Sequence, residues 1–348
     1  MATATQSNAT PSSPRPVWQN WAEVLRTQNL SSEQKMDGVS RWLLIIRASV
    51  FPMTLTSGLL GGLFAVAGPT PAEANWSFFA LALVGLVLAH AANNMINDYF
   101  DLAGGVDSAT YVRGQYAPHP ILNGLISKGG LIAAIAAINA IDLAILIYLG
   151  AERGPLVYFF ALAGLFISVF YVAPPLKLKH HGFGEPGVFL VWGPLMIAGT
   201  YFVTTGLTPA WIFAASLPYA LLVTVVLFGK HIDKLEADSA KGIQTLPVIL
   251  GETQARFVAQ AMMISFFVVM GILVLTGTLG VWTLVSFAAL PRCFEVMRVF
   301  RAPKPAQPPP RYPLWPLWYV SWAFLLTRRA GALFILGLVA TAVYPVFL

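Results

Sequence analysis

Charged side chains and cysteine are scarce in this sequence. Asp, Glu, Lys and Arg make up 10% of the 348 residues, whereas apolar residues make up 57%, and the mean hydropathy is +0.70. This balance excludes an ordinary soluble domain. Cys293 is the only cysteine, which excludes an intrachain disulfide. The first 16 residues lack the apolar core of a signal peptide, and the sequence shows no motif for binding RNA or DNA.

Long apolar runs are abundant, and they predict a membrane protein of the multi-pass class. A helix needs roughly 20 apolar residues to cross the hydrocarbon core of a bilayer. We therefore predict an all-α bundle of about nine transmembrane helices around a central cavity. The nine predicted spans lie near residues 42–67, 76–100, 130–150, 155–173, 187–206, 208–229, 257–278, 279–297 and 329–348.

The Lys and Arg residues orient the predicted bundle, because short loops rich in these residues stay in the cytoplasm. Of the 21, only Arg153 lies in a connection that we place outside. The N-terminus and the loops after predicted spans 2, 4, 6 and 8 then face the cytoplasm. We expect an integral protein of the bacterial inner membrane, in contact with membrane lipids, whose net charge of +6 suits anionic lipids or anionic substrates.

Three regions are expected along the chain. Residues 1–40 are predicted to be a disordered N-terminus followed by a short amphipathic helix within 17–36. Residues 41–297 are expected to form the main membrane domain. Residues 298–348 are expected to hold a Pro-rich linker, an interfacial helix near 313–327 and the last span. The oligomeric state cannot be deduced from the sequence.

A cluster of Asn and Asp residues follows the second apolar run, in the stretch "NNMINDYFDLAGGVDS". On a helix of about 3.6 residues per turn, Asn93, Asn97 and Asp101 share one face, with Asn94 and Asp98 on its flank. Clustered carboxylate and amide oxygens suit a hard cation such as Mg²⁺. Capping of a helix end is the structural alternative, but ionisable residues within a membrane generally mark a functional site.

A second polar segment follows the sixth apolar run. Lys230, Lys234 and Asp238 have the same i, i+4, i+8 spacing as the first cluster, and Asp233 lies beside them. Polar faces at the cytoplasmic ends of spans 2 and 6 favour an internal duplication around one cavity.

Three motifs together resemble the UbiA superfamily of intramembrane prenyltransferases. "NDYFDLAGGVDS" is similar to the first aspartate-rich motif of its 1,4-dihydroxy-2-naphthoate prenyltransferases. "YVAPPLKLKHHGFGEPGVFLVWGPLMIAGTYFV", at residues 171–203, resembles the same branch, and "DSAKGIQTLPVILG" resembles the end of the second aspartate-rich motif. The resemblance covers residues 40–290 approximately.

The resemblance implies a cavity in which two Asp-rich motifs hold Mg²⁺ against the diphosphate of a polyprenyl donor. It implies Mg²⁺ ligation by Asn97, Asp101 and Asp107, and catalytic roles for Asp98, Asp101, Asp233 and Asp238. Breaking an allylic C–O bond leaves a negative diphosphate and an allyl cation, which basic and aromatic side chains stabilise. The expected substrate-binding residues are Arg47, Asn93, Arg113, Tyr171, Lys177, Lys179, Lys230 and Lys234. His119 is a further candidate for a phosphate contact.

The second motif departs from the family, which normally carries Asn and Asp where this sequence has Lys230 and Lys234. Two lysines repel a second Mg²⁺ but attract diphosphate. One hypothesis is that a single metal and these lysines replace a two-metal clamp, with Asp233 and Asp238 pairing the lysines or contacting the metal. The alternatives are that the site serves another lipid, or that a slip of one position lets Asp233 act as the acid.

Three functions are compatible with the sequence. The first is transfer of a polyprenyl group from its diphosphate to an aromatic quinone precursor such as 1,4-dihydroxy-2-naphthoate. The second is prenyl transfer to a polar lipid, or cyclisation of the donor. The third is non-catalytic binding of isoprenoid lipids, which the altered second motif keeps open.

Overall fold

The computed structural model describes residues 15–108, 111–310 and 312–348, and the regular structure of these residues is helical. The predicted disorder of the first residues falls on 1–14 and lies outside this part of the chain. The α-helices are α1 (Val17–Thr27), α2 (Gly38–Ile45), α3 (Phe51–Ala67), α4 (Trp76–Ala103), α5 (Val112–Tyr116), α6 (Lys128–Arg153), α7 (Leu156–Phe170), α8 (Gly184–Leu190), α9 (Gly199–Thr205), α10 (Ala210–Asp233), α11 (Leu235–Ala240), α12 (Leu246–Leu250), α13 (Glu252–Leu275), α14 (Leu290–Arg301) and α15 (Tyr319–Val343). Short 3₁₀ helices cover Ala48–Val50, Leu178–His180 and Val281–Ala289, and a π-helix covers Val191–Ala198.

Seven helical segments of the described chain are long and apolar enough to cross a bilayer, so the all-α membrane bundle is confirmed but the count of nine is not. Helix α7 has only 15 residues, and the predicted span 279–297 divides into a 3₁₀ helix and α14. The seven segments are Ala48–Ala67, Trp76–Ala103, Lys128–Arg153, Gly184–Thr205, Ala210–Asp233, Glu252–Leu275 and Tyr319–Val343.

The first predicted span is interrupted where it reaches the polar end of the bundle. Helix α2 ends at Ile45, and Arg47 has a φ of 51°, in the left-handed region. A non-glycine residue pays roughly 1–2 kcal/mol for this conformation. The interruption lets the side chain of Arg47 reach α4, where it forms an ion pair with Asp98. The strained turn therefore supplies a cation to the first Asn and Asp cluster.

The π-helix Val191–Ala198 widens one wall of the bundle. Pro194 lies within it and has no N–H to donate, and the backbone of Gly193 is not helical (φ −97°, ψ −105°). Loss of one helical hydrogen bond at proline shifts the local pattern to wider turns. Trp192 in this segment donates its indole N–H to Thr54 Oγ1 of α3 at 3.1 Å, which fixes the widened wall against its neighbour.

Helix α10 meets the beginning of α15 at close range. A Cβ atom added at Gly229 would lie 2.8 Å from the backbone nitrogen of Val320, so only glycine permits this approach. Four residues later, the two carboxylate oxygens of Asp233 accept the backbone N–H groups of Tyr319 at 3.1 Å and Val320 at 3.0 Å. Lys304 Nζ lies 3.8 Å from the same carboxylate. Asp233, at the end of α10, therefore caps the N-terminus of helix α15.

This junction changes two expectations from the sequence. A single continuous helix, α15, replaces the predicted interfacial helix near 313–327 and the separate span at 329–348. Asp233 was expected to act in catalysis or to pair with Lys230 or Lys234. In the structure, the carboxylate oxygens of Asp233 accept the first backbone N–H groups of α15, and Lys304 lies beside them.

We expect Asp233→Ala to lower the stability of the folded protein. Two backbone N–H groups at a buried helix N-terminus would lose a charged acceptor, which costs about 2–4 kcal/mol. Thermal unfolding in detergent checks this, with Glu236→Ala, an exposed acid three residues away, as the matched control. Loss of activity in Asp233→Ala at unchanged stability would assign the residue to the chemistry and contradict the capping role.

Candidate active site at the polar end of the bundle

Asp98 is the acid around which the cations of the site gather. Its side chain is fully buried on α4, and its Oδ1 atom forms an ion pair with Arg47. Arg113 Nε lies 3.6 Å and His119 Nε2 lies 4.0 Å from the same oxygen. The other oxygen, Oδ2, is buried without a hydrogen-bond partner in the described residues. One side of the carboxylate is therefore neutralised, and the other is left for a ligand.

Asp101, one turn further along α4, is paired with Lys179. The ammonium nitrogen of Lys179 lies 2.7 Å and 2.8 Å from the two carboxylate oxygens. Lys179 lies in the 3₁₀ helix after α7, and its side chain is 6% exposed. The backbone N–H of Lys179 donates to the carbonyl of Tyr171 at 3.0 Å, which holds this loop over the end of the bundle. The expected metal ligand and the expected phosphate ligand thus contact each other.

His119 lies between two acids, Asp98 and Asp107, with the three ligating atoms within 4.8 Å of one another. Its Nδ1 atom accepts the backbone N–H groups of Ile121 at 3.2 Å and Leu122 at 3.3 Å. In the neutral ring the proton is therefore on Nε2, which lies 3.5 Å from Asp107 Oδ2. A metal would need a lone pair on Nε2. We assign His119 as a hydrogen-bond donor to this site, and not as a metal ligand.

The oxygen atoms that remain fit a divalent cation. Asn97 Oδ1 and Asp98 Oδ2 are buried and lack partners in the described chain. Asp107 supplies a further buried carboxylate near Asp98. An oxygen-only set with one or two carboxylates is what Mg²⁺ prefers, since it keeps several waters and binds substrate phosphates. The sequence predicted Asn97, Asp101 and Asp107 for this role, whereas the geometry groups Asp107 with Asp98 and His119.

The second polar segment forms the wall that faces the first cluster. It contacts the loop after α4 through Tyr111, a residue that the sequence analysis did not single out. The Tyr111 hydroxyl donates to Asp238, and Lys234 Nζ lies 3.4 Å from Asp238 Oδ1. Burial and the adjacent Asp238 carboxylate raise the pKa of Tyr111, which keeps its hydroxyl protonated as a donor. Lys234 also lies 4.6 Å from the centre of the Tyr111 ring, an attractive cation–π distance.

Lys241 completes the connection between the two walls. Its ammonium donates to the carbonyl oxygens of Gly105 at 2.8 Å and Val106 at 2.5 Å, and lies 4.9 Å from the centre of the Tyr111 ring. The loop after α4 and the loop after α11 are thereby held together across the site. Tyr111 lies outside any helical repeat of polar residues, whereas Lys241 follows Lys234 by seven residues and continues the repeat of the second polar segment.

An internal cavity of about 420 Å³ extends from the polar walls into the apolar interior of the bundle. This volume lies within the range of small-molecule sites. Trp192 and Leu195 of the widened wall contribute to its apolar part. Of the predicted substrate-binding residues, the cavity is lined by Arg47, Asn93, Tyr171 and Lys230, together with Asn97 of the predicted metal set.

The remaining predicted residues take different positions. Arg113 is buried, donates to the carbonyl of Ala117 at 3.3 Å and faces Asp98. Lys177 is half-buried and has no ion pair within the described parts of the chain. Burial and the neighbouring Lys179 lower the pKa of His180 to about 4, so this histidine is uncharged near neutral pH and adds no cation to the site.

A buried chain of three polar side chains lies beside the cavity, and the sequence did not reveal it. His231 and Glu185 are each 1% exposed, and His231 Nδ1 lies 2.6 Å from Glu185 Oε1. His231 Nε2 lies 3.3 Å from the Tyr171 hydroxyl. The available signal was an acid and a histidine within apolar spans, since such residues are costly there and mark function.

Cations outnumber anions in this site. Among the described residues of the two polar walls, together with Lys230, four are acids and six are basic, and an anionic ligand would balance the excess. The acids are Asp98, Asp101, Asp107 and Asp238, and the basic residues are Arg47, Arg113, Lys179, Lys230, Lys234 and Lys241. Asp142 of α6 is a further acid that lines the cavity.

Comparison with known sequences gives one family and many distant relatives. The sequence profile of the UbiA prenyltransferase family matches residues 54–320. The Drosophila melanogaster "UbiA prenyltransferase domain-containing protein 1 homolog" is 25% identical over 80% of this chain and 78% of its own length. The 1,4-dihydroxy-2-naphthoate octaprenyltransferase of Bacillus subtilis is 26% identical over 64% of this chain and 70% of its own.

Several solved structures share this fold. A UbiA homologue from Archaeoglobus fulgidus bound to GPP and Mg²⁺ matches with a TM-score of 0.62 at 17% identity, over 87% of this chain and 99% of that chain. An apo UbiA homologue from Aeropyrum pernix K1 matches with a TM-score of 0.63 at 18% identity, over 83% and 96% of the two chains. At these identities the likeness establishes the fold.

Proposed function

Because the chain belongs to the UbiA prenyltransferase family, we propose that it transfers a polyprenyl group from polyprenyl diphosphate to an aromatic quinone precursor inside the membrane. The observation that carries this proposal is that a cationic region and an apolar cavity lie next to each other. The residues of the two polar walls, here called the cationic chamber, carry unpartnered acid and amide oxygens. They adjoin an apolar cavity that Arg47, Asn97 and Lys230 line. A diphosphate with a long hydrocarbon tail needs both at once.

The diphosphate end of the donor is assigned to the cationic chamber. Arg47 and Lys230 line the cavity, and Lys179 is paired with Asp101. Basic side chains stabilise the negative charge that develops on the leaving diphosphate. Asn97, Asp98 and Asp107 would hold Mg²⁺, which supplies charge neutralisation of the diphosphate when bound. The Archaeoglobus structures bound to GPP or DMAPP with Mg²⁺ support this assignment.

The hydrocarbon tail and the allyl cation are assigned to the apolar part of the cavity. Trp192 and Tyr171 present aromatic rings to this space, and π faces attract a cation. The apolar walls also exclude water, which would otherwise capture the cation as a prenyl alcohol. The protein thus separates the anionic leaving group from the reacting carbon.

For the acceptor we propose 1,4-dihydroxy-2-naphthoate, on the basis of the Bacillus relative. Transfer to a polar lipid is the second candidate, favoured by the fold shared with a digeranylgeranylglyceryl phosphate synthase (TM-score 0.59, 15% identity).

The purified protein in lipid nanodiscs, supplied with radiolabelled prenyl diphosphates of increasing length, tests the function. Diphosphate release is measured with 1,4-dihydroxy-2-naphthoate, with geranylgeranylglyceryl phosphate and with no acceptor. A naphthoate product identified by mass supports the proposal, and a glycerol-lipid product replaces it with the second candidate. Absence of diphosphate release from every donor with Mg²⁺ contradicts prenyl transfer.

Lys234→Asp tests whether the lysines of the second motif take part in donor binding. The new carboxylate would face Asp238, which now contacts the Lys234 ammonium at 3.4 Å, and would repel diphosphate. We expect kcat/KM for the donor to fall at least about 10-fold, with a changed Mg²⁺ dependence. Lys35→Asp, at an exposed position between α1 and α2, is the control for the charge change. An unchanged rate and Mg²⁺ dependence would rule out the lysine clamp.

A further inference from the structure

Tyr171, His231 and Glu185 form a continuous hydrogen-bonded chain that ends at the cavity. Glu185 Oε1 lies 2.6 Å from His231 Nδ1, and His231 Nε2 lies 3.3 Å from the Tyr171 hydroxyl. Glu185 Oε2 also accepts the backbone N–H of Leu246 at 3.4 Å. Only Tyr171 of the three lines the cavity. The diphosphate chemistry described above uses the ring of Tyr171 but not its hydroxyl, and it uses neither His231 nor Glu185.

The direction of the hydrogen bonds follows from the donors and acceptors available. A carboxylate accepts and does not donate, so His231 donates its Nδ1 proton to Glu185. The Nε2 atom of the neutral ring then carries a lone pair, and the Tyr171 hydroxyl donates to it. This leaves an oxygen lone pair of Tyr171 for a donor in the cavity. The arrangement is that of a nucleophile or base activated by a histidine whose tautomer a carboxylate fixes.

We propose that this chain removes the hydroxyl proton of the aromatic acceptor during prenyl transfer, with Tyr171 as the contacting group and His231 as the final base. The proposal rests on the proposed function. Prenyl transfer to an aromatic ring releases one proton overall. Asp98 and Asp101 are poor acceptors for it, because adjacent cations stabilise their ionised forms. An ionised hydroxyl donates electrons to the ring and makes its carbon more nucleophilic.

The proposed reaction begins at the prenyl donor and ends with the release of one proton. The allylic C–O bond breaks, and its electron pair leaves with the diphosphate. The acceptor hydroxyl gives its proton to the Tyr171 oxygen while the Tyr171 proton passes to His231 Nε2, which leaves an imidazolium beside the Glu185 carboxylate. The ring carbon then forms the C–C bond. The hydrogen at that carbon is lost as the ring carbonyl returns to a hydroxyl, so one net proton is released.

This role predicts that substitutions in the Tyr171–His231–Glu185 relay affect alkylation of the acceptor much more than diphosphate release without acceptor. Without acceptor, we expect diphosphate release only at the low rate at which water reaches the prenyl cation past the apolar walls, and this reaction does not use the Tyr171–His231–Glu185 relay. His231→Gln keeps a polar side chain but cannot hold the proton. We expect alkylation of 1,4-dihydroxy-2-naphthoate by geranylgeranyl diphosphate to fall about 10²-fold or more, while diphosphate release without acceptor changes less than about threefold, so prenyl alcohol becomes the main product.

Two further variants guard against misfolding. Tyr171→Phe removes the hydroxyl and keeps the aromatic ring, and we expect alkylation to fall as it does in His231→Gln. Glu185→Asp keeps a carboxylate and should retain more alkylation than Glu185→Gln. His181→Gln, at an exposed histidine in the neighbouring loop, is the matched control and should behave as the parent protein.

The outcomes separate the relay from the proposed function. Equal losses of alkylation and acceptor-free diphosphate release in both His231→Gln and Tyr171→Phe would show a structural role and overturn the relay. Unchanged alkylation in both variants would also overturn it. Absence of diphosphate release and of alkylated product in the parent protein would instead overturn prenyl transfer itself.

Discussion

Asp98→Asn is expected to reduce the rate of diphosphate release from a prenyl diphosphate about 10²–10³-fold. The carboxylate is fully buried, with Arg47, Arg113 and His119 around one oxygen and an unpartnered second oxygen. The amide keeps the shape of the side chain but removes its charge. Steady-state rates at several Mg²⁺ concentrations measure the effect, and the Mg²⁺ concentration for half-maximal rate should rise.

Folding has to be measured beside activity in this variant. Removing one partner of a buried ion pair costs about 3–5 kcal/mol, because the other charge stays buried, and both Arg47 and Arg113 face Asp98. Thermal unfolding of the purified variant corrects the rates for the folded fraction. Glu152→Gln, which neutralises an exposed acid near the end of α6, is the matched control. A folded Asp98→Asn protein with the parent rate and Mg²⁺ requirement would remove Asp98 from the site.

Lys179→Met is expected to weaken binding of the donor diphosphate and to strengthen binding of Mg²⁺. The ammonium lies within 2.8 Å of both oxygens of Asp101. Without it, the donor diphosphate loses a cation, and kcat/KM for the donor should fall about 10²-fold, as expected for a charge-assisted hydrogen bond of about 2–3 kcal/mol. Asp101 becomes unpaired, so the Mg²⁺ concentration for half-maximal rate should fall.

Lys177→Met provides the comparison for this experiment, since Lys177 precedes Lys179 by two residues, is half-buried and has no described ion pair. The sequence did not distinguish these two lysines, whereas in the described residues Lys179 is paired with Asp101 and Lys177 has no ion pair. Rates and Mg²⁺ titrations of both variants are measured with the same donor. If Lys177→Met loses donor affinity and Lys179→Met does not, the assignment of the two lysines is reversed.

The helical face of the first motif could be predicted, because local spacing determines it. Helix α4 spans Trp76–Ala103, close to the predicted 76–100, and Asn93 and Asn97 both line the cavity as one face requires. The pairing of Asp101 with Lys179 could not be predicted. It joins residues 78 positions apart through a loop whose path depends on how α7 and α8 pack.

The errors in the predicted helices also have physical causes. Hydropathy does not report backbone conformation, so it could not detect the left-handed Arg47 that divides α2 from α3. It also could not distinguish an interfacial segment at 313–327 from the start of α15, because the cap of that helix is Asp233, more than 80 residues earlier. Long-range caps and tautomers, such as that of His119, depend on tertiary contacts.

The excess of basic side chains in the cationic chamber affects the stability of the whole folded protein. Like charges held together in a poorly solvated space repel one another, so the chamber lowers the stability of the protein until an anion enters it. A ligand that binds only the folded state raises its stability in proportion to RT ln(1 + [L]/Kd). The same charges that fit the site for diphosphate therefore make the ligand a part of what holds the bundle together.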